Sequence, residues 1–195
     1  MFIRNKKTVH VEMSARHAHL TKAHFEKLFG KGAVFSVLRA LSQPGEFASS
    51  LTLDVVGKHG ELKSVRILGP LRPYSQVEVS YTDARALGVV PPIRESGMHD
   101  GTPGATLVGP AGSVTIKKGV VVANRHIHCS TAQAKSLRLR HGQFVKIKIA
   151  GARAAVLDRV MIKVNDNYDW HCHLDTDEGN AVGITKENDL AEVII

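Results

Sequence analysis

Short segments with alternating apolar and polar residues recur along most of this chain. Such alternation is typical of β-strands that bury one face. Helical patterns are few and short, at 21–29 and 130–138, with single turns near 83–87 and 177–182. Many short strands with few helices predict a mainly β fold with short capping helices, arranged as two similar small β-barrel domains. The predicted strands are 50–57 and 63–70 around the hairpin signal KHGE, 76–82, two in TLVGPAGSVTI, 143–150, 154–164 and the terminal AEVII.

The chain contains an internal repeat. Residues 14–28 (SARHAHLTKAHFEKL) align without gaps with residues 123–137 (ANRHIHCSTAQAKSL), and each copy follows an apolar run. Each copy is therefore predicted to form a strand, an HxH triplet and a helix, with Thr21 or Ser130 as the helix N-cap. The repeat indicates two related halves.

The repeat also bears on domain organisation, because its two copies lie more than half the chain apart. Each half is large enough to bury a modest core of its own. We expect a first β-barrel domain over 15–124, and a second that combines 1–14 with 125–195, so that the N-terminal strand joins the second half.

Composition places the chain among folded globular proteins. It has 195 residues, 43% of them hydrophobic and 23% charged, which are ordinary values for that class. No apolar run is long enough to span a bilayer, and the start MFIRNKKTVHVEM lacks the apolar segment of a secretory signal. Two cysteines, Cys129 and Cys172, do not make a disulfide framework. We therefore expect a cytoplasmic protein with no membrane partner.

The formal net charge of +8 favours anionic partners. Aromatic residues make up only 5% of the chain and the basic residues are scattered, so the pattern expected of a nucleic-acid-binding surface is missing. Two interpretations remain, a generally basic solvated surface and the binding of a phosphate-rich small molecule.

Histidine carries the candidate chemistry, since six of the eleven histidines stand in HxH triplets. Residues i and i+2 of a strand point to the same face, so each pair can converge on one ion, and neutral imidazole suits zinc, copper or nickel. A single triplet is better explained by exposed strand histidines. Two triplets at equivalent places in a repeat favour metal binding. The triplets are His17/His19, His126/His128 and His171/His173.

A zinc site needs three or four ligands, so further residues must contribute. Glu78 is either an exposed strand glutamate or a ligand. Cys129 and Cys172 are more simply buried small residues than thiolate ligands. The acidic stretch at 175–178 is better explained as a helix start. Arg72 follows a Gly/Pro-shaped turn and is either a solvated turn arginine or a phosphate-binding residue, because its planar fork of donors matches phosphate.

Read together, the segments of this chain resemble the PduL-type phosphate acyltransferases (phosphotransacylases, phosphate propanoyltransferases). The resemblance covers about residues 9–184 and rests on SARHAHLT, ALSQPGEFAS, ILGPLR, QVEVSYTDARALG, RESG, DGTPG, ANRHIH and HLDTDEGNA, in this order.

That resemblance implies two zinc ions per chain in an active site at the interface of two β-barrel domains. It implies that Arg72 binds phosphate and that Asn180, with Met13 and Ser14 before the first HxH, lies near coenzyme A. The implied ligands are His17, His19 and Glu78 for one ion and His126, His128 and His173 for the other.

The expected function is a zinc-dependent acyltransferase that interconverts acetyl- or propanoyl-CoA plus phosphate with acyl phosphate plus CoA, and we expect a homodimer. Two alternatives remain, a two-metal hydrolase and a basic zinc-containing β-barrel binding module. The chain departs from the family pattern at His171, which competes with His173, and in the basic stretch SLRLRHGQ. It also has only about eight residues before the first matching strand, so we expect no N-terminal extension of the kind that directs relatives to bacterial microcompartments.

Overall fold

A computed structural model describes residues 7–185 and 189–195 of the chain. Residues 1–6, on which the expectation about an N-terminal extension rests, lie outside the described residues. Among the described residues, no helix combines the length and the apolar character that crossing a membrane requires.

The described residues form fifteen strands and four short helices. The helices are α1 (Lys22–Phe29), α2 (Tyr81–Leu87), α3 (Thr131–Leu137) and α4 (Thr176–Val182). The strands are β1 (Lys7–Ser14), β2 (His17–His19), β3 (Val37–Ala40), β4 (Phe47–Val56), β5 (Glu61–Gly69), β6 (Gln76–Glu78), β7 (Ile93–Arg94), β8 (Ala105–Gly109), β9 (Gly112–Ile116), β10 (Val120–Ala123), β11 (His126–Cys129), β12 (Phe144–Ile149), β13 (Ala155–Val164), β14 (His171–Asp175) and β15 (Leu190–Ile194).

The chain divides into two compact units. The sheet unit comprises Ala15–Leu41 and Gly45–Ala123. The barrel unit comprises the described residues up to Ser14, the short segment Ser42–Pro44 and the described residues from Asn124 onward.

The barrel unit is built on a closed six-stranded barrel in the order β1-β14-β11-β13-β12-β15. Strand β14 runs parallel to β1 and antiparallel to β11. Apolar residues at alternate positions of the strands fill the interior of the barrel. Among them are Val11, Ile127 and Cys172, which are fully or almost fully buried. Because side chains alternate along a strand, the histidines next to Ile127 and Cys172 lie on the outer face of the barrel.

The sheet unit is built on a nine-stranded sheet in the order β7-β10-β6-β2-β5-β4-β8-β9, with β3 paired to β4. The three-residue strand β2 lies between β5, to which it is parallel, and β6, to which it is antiparallel. Ala18 of β2 packs in the unit's apolar core, so the histidines on either side of it point to the opposite face. The prediction of a mainly β fold with two barrel-like halves and short capping helices is confirmed.

Side-chain caps define the helix starts. Thr21 and Ser130 are the N-caps of α1 and α3, as predicted from the repeat. The predicted strand at 76–82 is correct only as far as Glu78, because the side chain of Ser80 accepts a hydrogen bond from the backbone of Asp83 and starts α2. A local capping box thus ends a strand that apolar alternation alone would continue.

Candidate functional site

The sheet unit brings His17, His19 and Glu78 together. Strands β2 and β6 pair so that His17 lies opposite Glu78, with 3.5 Å between His17 Nε2 and Glu78 Oε2. The imidazole rings of His17 and His19 meet edge to face with centroids 5.0 Å apart. One ligand atom from each of the three residues lies within 4.8 Å of the others, so the group could hold a metal ion.

Burial and hydrogen bonds fix these side chains. His17, His19 and Glu78 are only 6%, 2% and 9% exposed, so the alternative of an exposed strand glutamate is wrong. The Nδ1–H of His17 donates to the carbonyl of Ala15 at 2.9 Å, which directs Nε2 towards Glu78. The carboxylate of Glu78 also accepts a hydrogen bond of 2.7 Å from the side-chain amide of Gln76.

His19 is the most informative residue of the group. Burial lowers its pKa well below the usual value, and electrostatic interactions with His17 and Arg72 lower it further, while Glu78 and a hydrogen bond with the backbone of Leu68 raise it. Its Nδ1 is buried and has no hydrogen-bond partner among the described residues. A buried polar atom without a partner needs an explanation, and a neutral imidazole nitrogen with a free lone pair suits a metal ion.

The barrel unit brings together a second histidine group on its outer face. Strands β11 and β14 pair so that His126 lies opposite His173. The ring of His173 lies 5.3 Å from that of His126 and 4.8 Å from that of His128, measured between centroids. The rings of His126 and His128 are 4.6 Å apart. The three predicted ligands of the second ion therefore form one cluster of rings.

His126 repeats the arrangement of His17. Its Nδ1–H donates to the carbonyl of Asn124, two residues earlier, at 2.7 Å, as that of His17 does to Ala15. Its pKa is lowered well below the usual value by burial first, and then by Lys163, His173 and His128. Both first histidines of the repeat thus use Nδ1 for the backbone and leave Nε2 for a ligand.

His171 has different neighbours from His173. It lies opposite His10 of β1, with ring centroids 6.1 Å apart, and its Nε2 is 3.9 Å from a carboxylate oxygen of Glu12. The ring of His171 therefore packs against His10, although its backbone is paired with His128 across β11 and β14.

Arg72 is not a solvated turn arginine, since its side chain is only 20% exposed and is ion-paired. One terminal nitrogen donates to Glu46 Oε1 at 2.7 Å and the other to Ser96 Oγ at 2.9 Å. Its backbone N–H donates to the carbonyl of Leu20 at 2.9 Å, just after β2. The guanidinium is thus held on the same unit as the His17 group, and its charge acts on His19.

A fully buried glutamine links these groups. The side-chain amide of Gln76 donates to Glu78 and, at 2.9 Å, to Ser96 Oγ. Its oxygen accepts from the backbone N–H of Gly97 at 2.8 Å and from His99 Nε2 at 2.7 Å. Glu46, Gln76 and Ser96 could not be singled out from the sequence, because polar residues in short strands and loops follow no period.

Met13, Ser14 and Asn180 lie on the barrel unit. Met13 and Ser14 end β1, and Asn180 is an exposed residue of α4. The side chain of Met13 lies directly over Gly179, where a Cβ atom would come within 2.5 Å of Met13 Cγ. The end of β1 therefore meets α4 beside Asn180.

The two cysteines and the acidic stretch have structural roles. Cys129 and Cys172 are fully buried, and burial raises the pKa of both thiols, in agreement with the interpretation as buried small residues. Asp175 is the N-cap of α4 and forms a capping box with Glu178, so the expected helix start is confirmed. Burial raises the pKa of both carboxyls.

Comparison with known proteins identifies relatives over nearly the whole chain. The family model for phosphate propanoyltransferase matches residues 10–185. The phosphate propanoyltransferase of Leptotrichia buccalis is 47% identical over 178 residues, which cover 91% of this chain and 84% of that protein. The one from Salmonella typhimurium is 44% identical over 183 residues (93% and 87%). The one from Thermotoga maritima is 39% identical over 193 residues (98% and 91%).

Proposed function

The chain belongs to the phosphate propanoyltransferase family, a family of acyltransferases, and on that premise we propose that it transfers an acyl group between coenzyme A and inorganic phosphate. In this reaction a phosphate oxygen forms a bond to the acyl carbon, the thioester C–S bond breaks, and the CoA thiolate leaves. The observation that carries the proposal is the match of the family over residues 10–185, which includes both histidine groups.

The finer part of the proposal is that zinc binds in each unit. His17, His19 and Glu78 would hold one ion in the sheet unit. The buried Nδ1 of His19, which has no hydrogen-bond partner among the described residues, supports this assignment. The second ion would be held by His126, His128 and His173 in the barrel unit, supported by the close packing of their rings.

The ligand sets suit catalysis better than a purely structural zinc. Three protein ligands of the His₂Glu or His₃ kind leave a position open for substrate, whereas structural sites close with four. When bound there, zinc supplies a Lewis acid for the thioester carbonyl and a favourable partner for a thiolate.

Arg72 is proposed to bind the attacking phosphate. Its guanidinium carries five N–H donors in a rigid fork, and the contacts to Glu46 and Ser96 hold the plane of that fork. A preorganised charged donor can stabilise charge on phosphate without reorganising during the reaction. Met13, Ser14 and Asn180 are proposed to lie along coenzyme A, as the packing of β1 against α4 permits. A cytoplasmic homodimer with no nucleic-acid or membrane partner stays a prediction.

An assay of free thiol together with metal analysis tests the proposal. Wild-type protein is expected to contain about two equivalents of zinc per chain. It should release thiol from acetyl- and propanoyl-CoA only when phosphate is present. His17→Ala and His126→Ala should each lose about one equivalent of zinc and most turnover, since metal ligands fix both geometry and charge. His59→Ala, at an exposed position in the sheet unit, is the control and should retain both the zinc content and the turnover of the wild type.

Each alternative gives a different result. A two-metal hydrolase would release thiol without phosphate, and a zinc-containing binding module would hold metal without releasing thiol. Either result would contradict acyl transfer to phosphate. Full zinc content in both His17→Ala and His126→Ala would contradict the ligand assignment.

A further inference from the structure

An arginine stands directly before each HxH pair, and each forms an ion pair within its own unit. Arg16 Nη1 lies 2.9 Å from Asp83 Oδ1 in the sheet unit. Arg125 Nε lies 2.8 Å from Glu178 Oε1 in the barrel unit. The two arginines are equivalent in the internal repeat.

Their partners occupy equivalent places as well. Asp83 is the third residue of α2 and forms a capping box with Ser80. Glu178 is the third residue of α4 and forms a capping box with Asp175. Each carboxylate therefore takes part in the capping box at the start of a helix and also forms the ion pair with the arginine.

The helix starts are tied to the third residue of each histidine group. Glu78 is two residues before the N-cap Ser80 and five before Asp83. His173 is likewise two residues before the N-cap Asp175 and five before Glu178. Each of these residues also lies opposite the first histidine of its unit, Glu78 opposite His17 and His173 opposite His126.

The pattern is thus the same in both units, although the residues differ. One strand carries the histidine pair, with an arginine directly before it, and its antiparallel neighbour carries a third candidate ligand followed by a capped helix. The arginine, just before the first strand, forms an ion pair with the helix that follows the second strand. His171, two residues before His173 and opposite His128, corresponds in this pattern to Gln76, which lies two residues before Glu78 and opposite His19.

The carboxylates of these ion pairs are largely buried, whereas the side chains of Arg16 and Arg125 are 45% and 28% exposed. The side chains of Asp83 and Glu178 are only 9% and 20% exposed, so an unpaired charge on either would be costly. Each arginine is therefore well placed to hold the helix start against the histidine-bearing strand.

We propose that Arg16 and Arg125 are positioning residues that keep the third ligand of each site, Glu78 or His173, in register with its histidine pair. This inference rests on the zinc sites of the proposed function. Loss of such outer partners weakens metal binding by about 10- to 100-fold in zinc proteins. The effect is confined to the unit that contains the arginine.

A crossed set of variants tests this. In the His126→Ala background, which leaves only the sheet-unit site intact, Arg16→Gln should weaken zinc affinity about 10- to 100-fold, measured by competition with a chromophoric chelator. Arg125→Gln in the same background should leave that affinity unchanged. In the His17→Ala background, which leaves only the barrel-unit site intact, Arg125→Gln should weaken zinc affinity and Arg16→Gln should leave it unchanged.

Partner and conservative variants separate positioning from general stability. Asp83→Asn should weaken sheet-unit zinc to the same extent as Arg16→Gln, with no further loss in the double variant. Arg16→Lys should recover part of the affinity. These milder variants keep the test open if Arg16→Gln does not fold, and melting temperatures recorded alongside identify any general destabilisation.

The outcomes distinguish the two proposals. Zinc affinities within twofold of the parent in all four crossed variants, with wild-type zinc content and acyl transfer intact, would overturn the positioning role alone. Equal weakening of both sites by one arginine would overturn it too, because it would indicate a general effect on the fold. Wild-type protein that binds no zinc would overturn both proposals.

Discussion

Glu78 and His173 stand at equivalent places in the two units, yet one is a carboxylate and the other an imidazole. With zinc bound as proposed, a site of two histidines and a glutamate has a net charge near +1, and a site of three neutral histidines keeps the full +2. The ion's own charge dominates the electrostatics of such a site. Before the charge of Arg72 is counted, the barrel-unit ion with its ligands therefore carries about one more positive charge than the sheet-unit ion with its ligands.

At the same scale, the choice between His171 and His173 is testable. We expect His173→Gln to lose about one equivalent of zinc, because the ring of His173 packs against His126 and His128. His171→Gln should keep both equivalents, because His171 lies beside His10 and Glu12. Metal analysis of the two purified variants decides between them. A depleted His171 variant beside an intact His173 variant would show that the assignment is inverted.

Arg72 can be tested through phosphate. Arg72→Lys should keep the fold and the zinc content, but it replaces a planar fork with a single point charge and loses the bonds that Arg72 makes to Glu46 and Ser96. We expect kcat/KM for phosphate to fall by an amount equivalent to about 2 to 4 kcal/mol, the scale of one lost electrostatic contact in a transition state. The KM for acyl-CoA should change much less.

The matched control for Arg72 is Arg85→Lys, at an exposed position on α2 of the same unit. It removes an arginine without touching the Glu46–Ser96 contacts and should give wild-type kinetics. If Arg72→Lys also left the phosphate dependence unaltered, phosphate binding would have to be assigned to the metal ions alone.

Among the elements, those with strong local signals could be predicted from the sequence. Apolar alternation predicted β12 and β13 to within one residue at each end. The N-caps Thr21 and Ser130 followed from the repeat because capping depends on residues three positions apart. The strand at 76–82 was predicted too long, since its apolar pattern continues past the point where Ser80 and Asp83 start a helix.

Contacts between elements distant in the chain could not be predicted in this way. The carboxylate of Glu46 meets Arg72, 26 residues later, and the oxygen of Gln76 meets His99, 23 residues later. Such pairs depend on strand order and register, which local periodicity does not determine. The same holds for His173, whose place opposite His126 is a matter of pairing between β11 and β14.

For the whole molecule, the structural similarity between the two units extends beyond the segments whose sequences align. The gapless match ends at residue 137, yet Glu78–Asp83 and His173–Glu178 share a strand end, an N-cap and an acidic third helix residue with little identity. Short capped helices need only a few residue types at fixed spacing, so the two units share this geometry even where their sequences differ. Each unit thus carries its own histidine pair, third residue and arginine.

The net charge of +8 is also a property of the whole chain, and it predicts how the reaction responds to salt. Phosphate and coenzyme A are both anions, so a positive protein raises their local concentration and their rate of encounter. Added salt shortens the screening length from about 30 Å at 0.01 M to about 3 Å at 1 M. We expect kcat/KM for acyl-CoA to fall about tenfold or more as KCl rises over this range, the lower end of known steering effects. Turnover at saturating substrate should change much less, because screening acts on encounter more than on groups already in contact. Initial rates across a KCl series, with melting temperatures recorded in the same buffers to exclude unfolding, measure this. A flat kcat/KM would mean that the positive charge of the chain lies where neither substrate approaches.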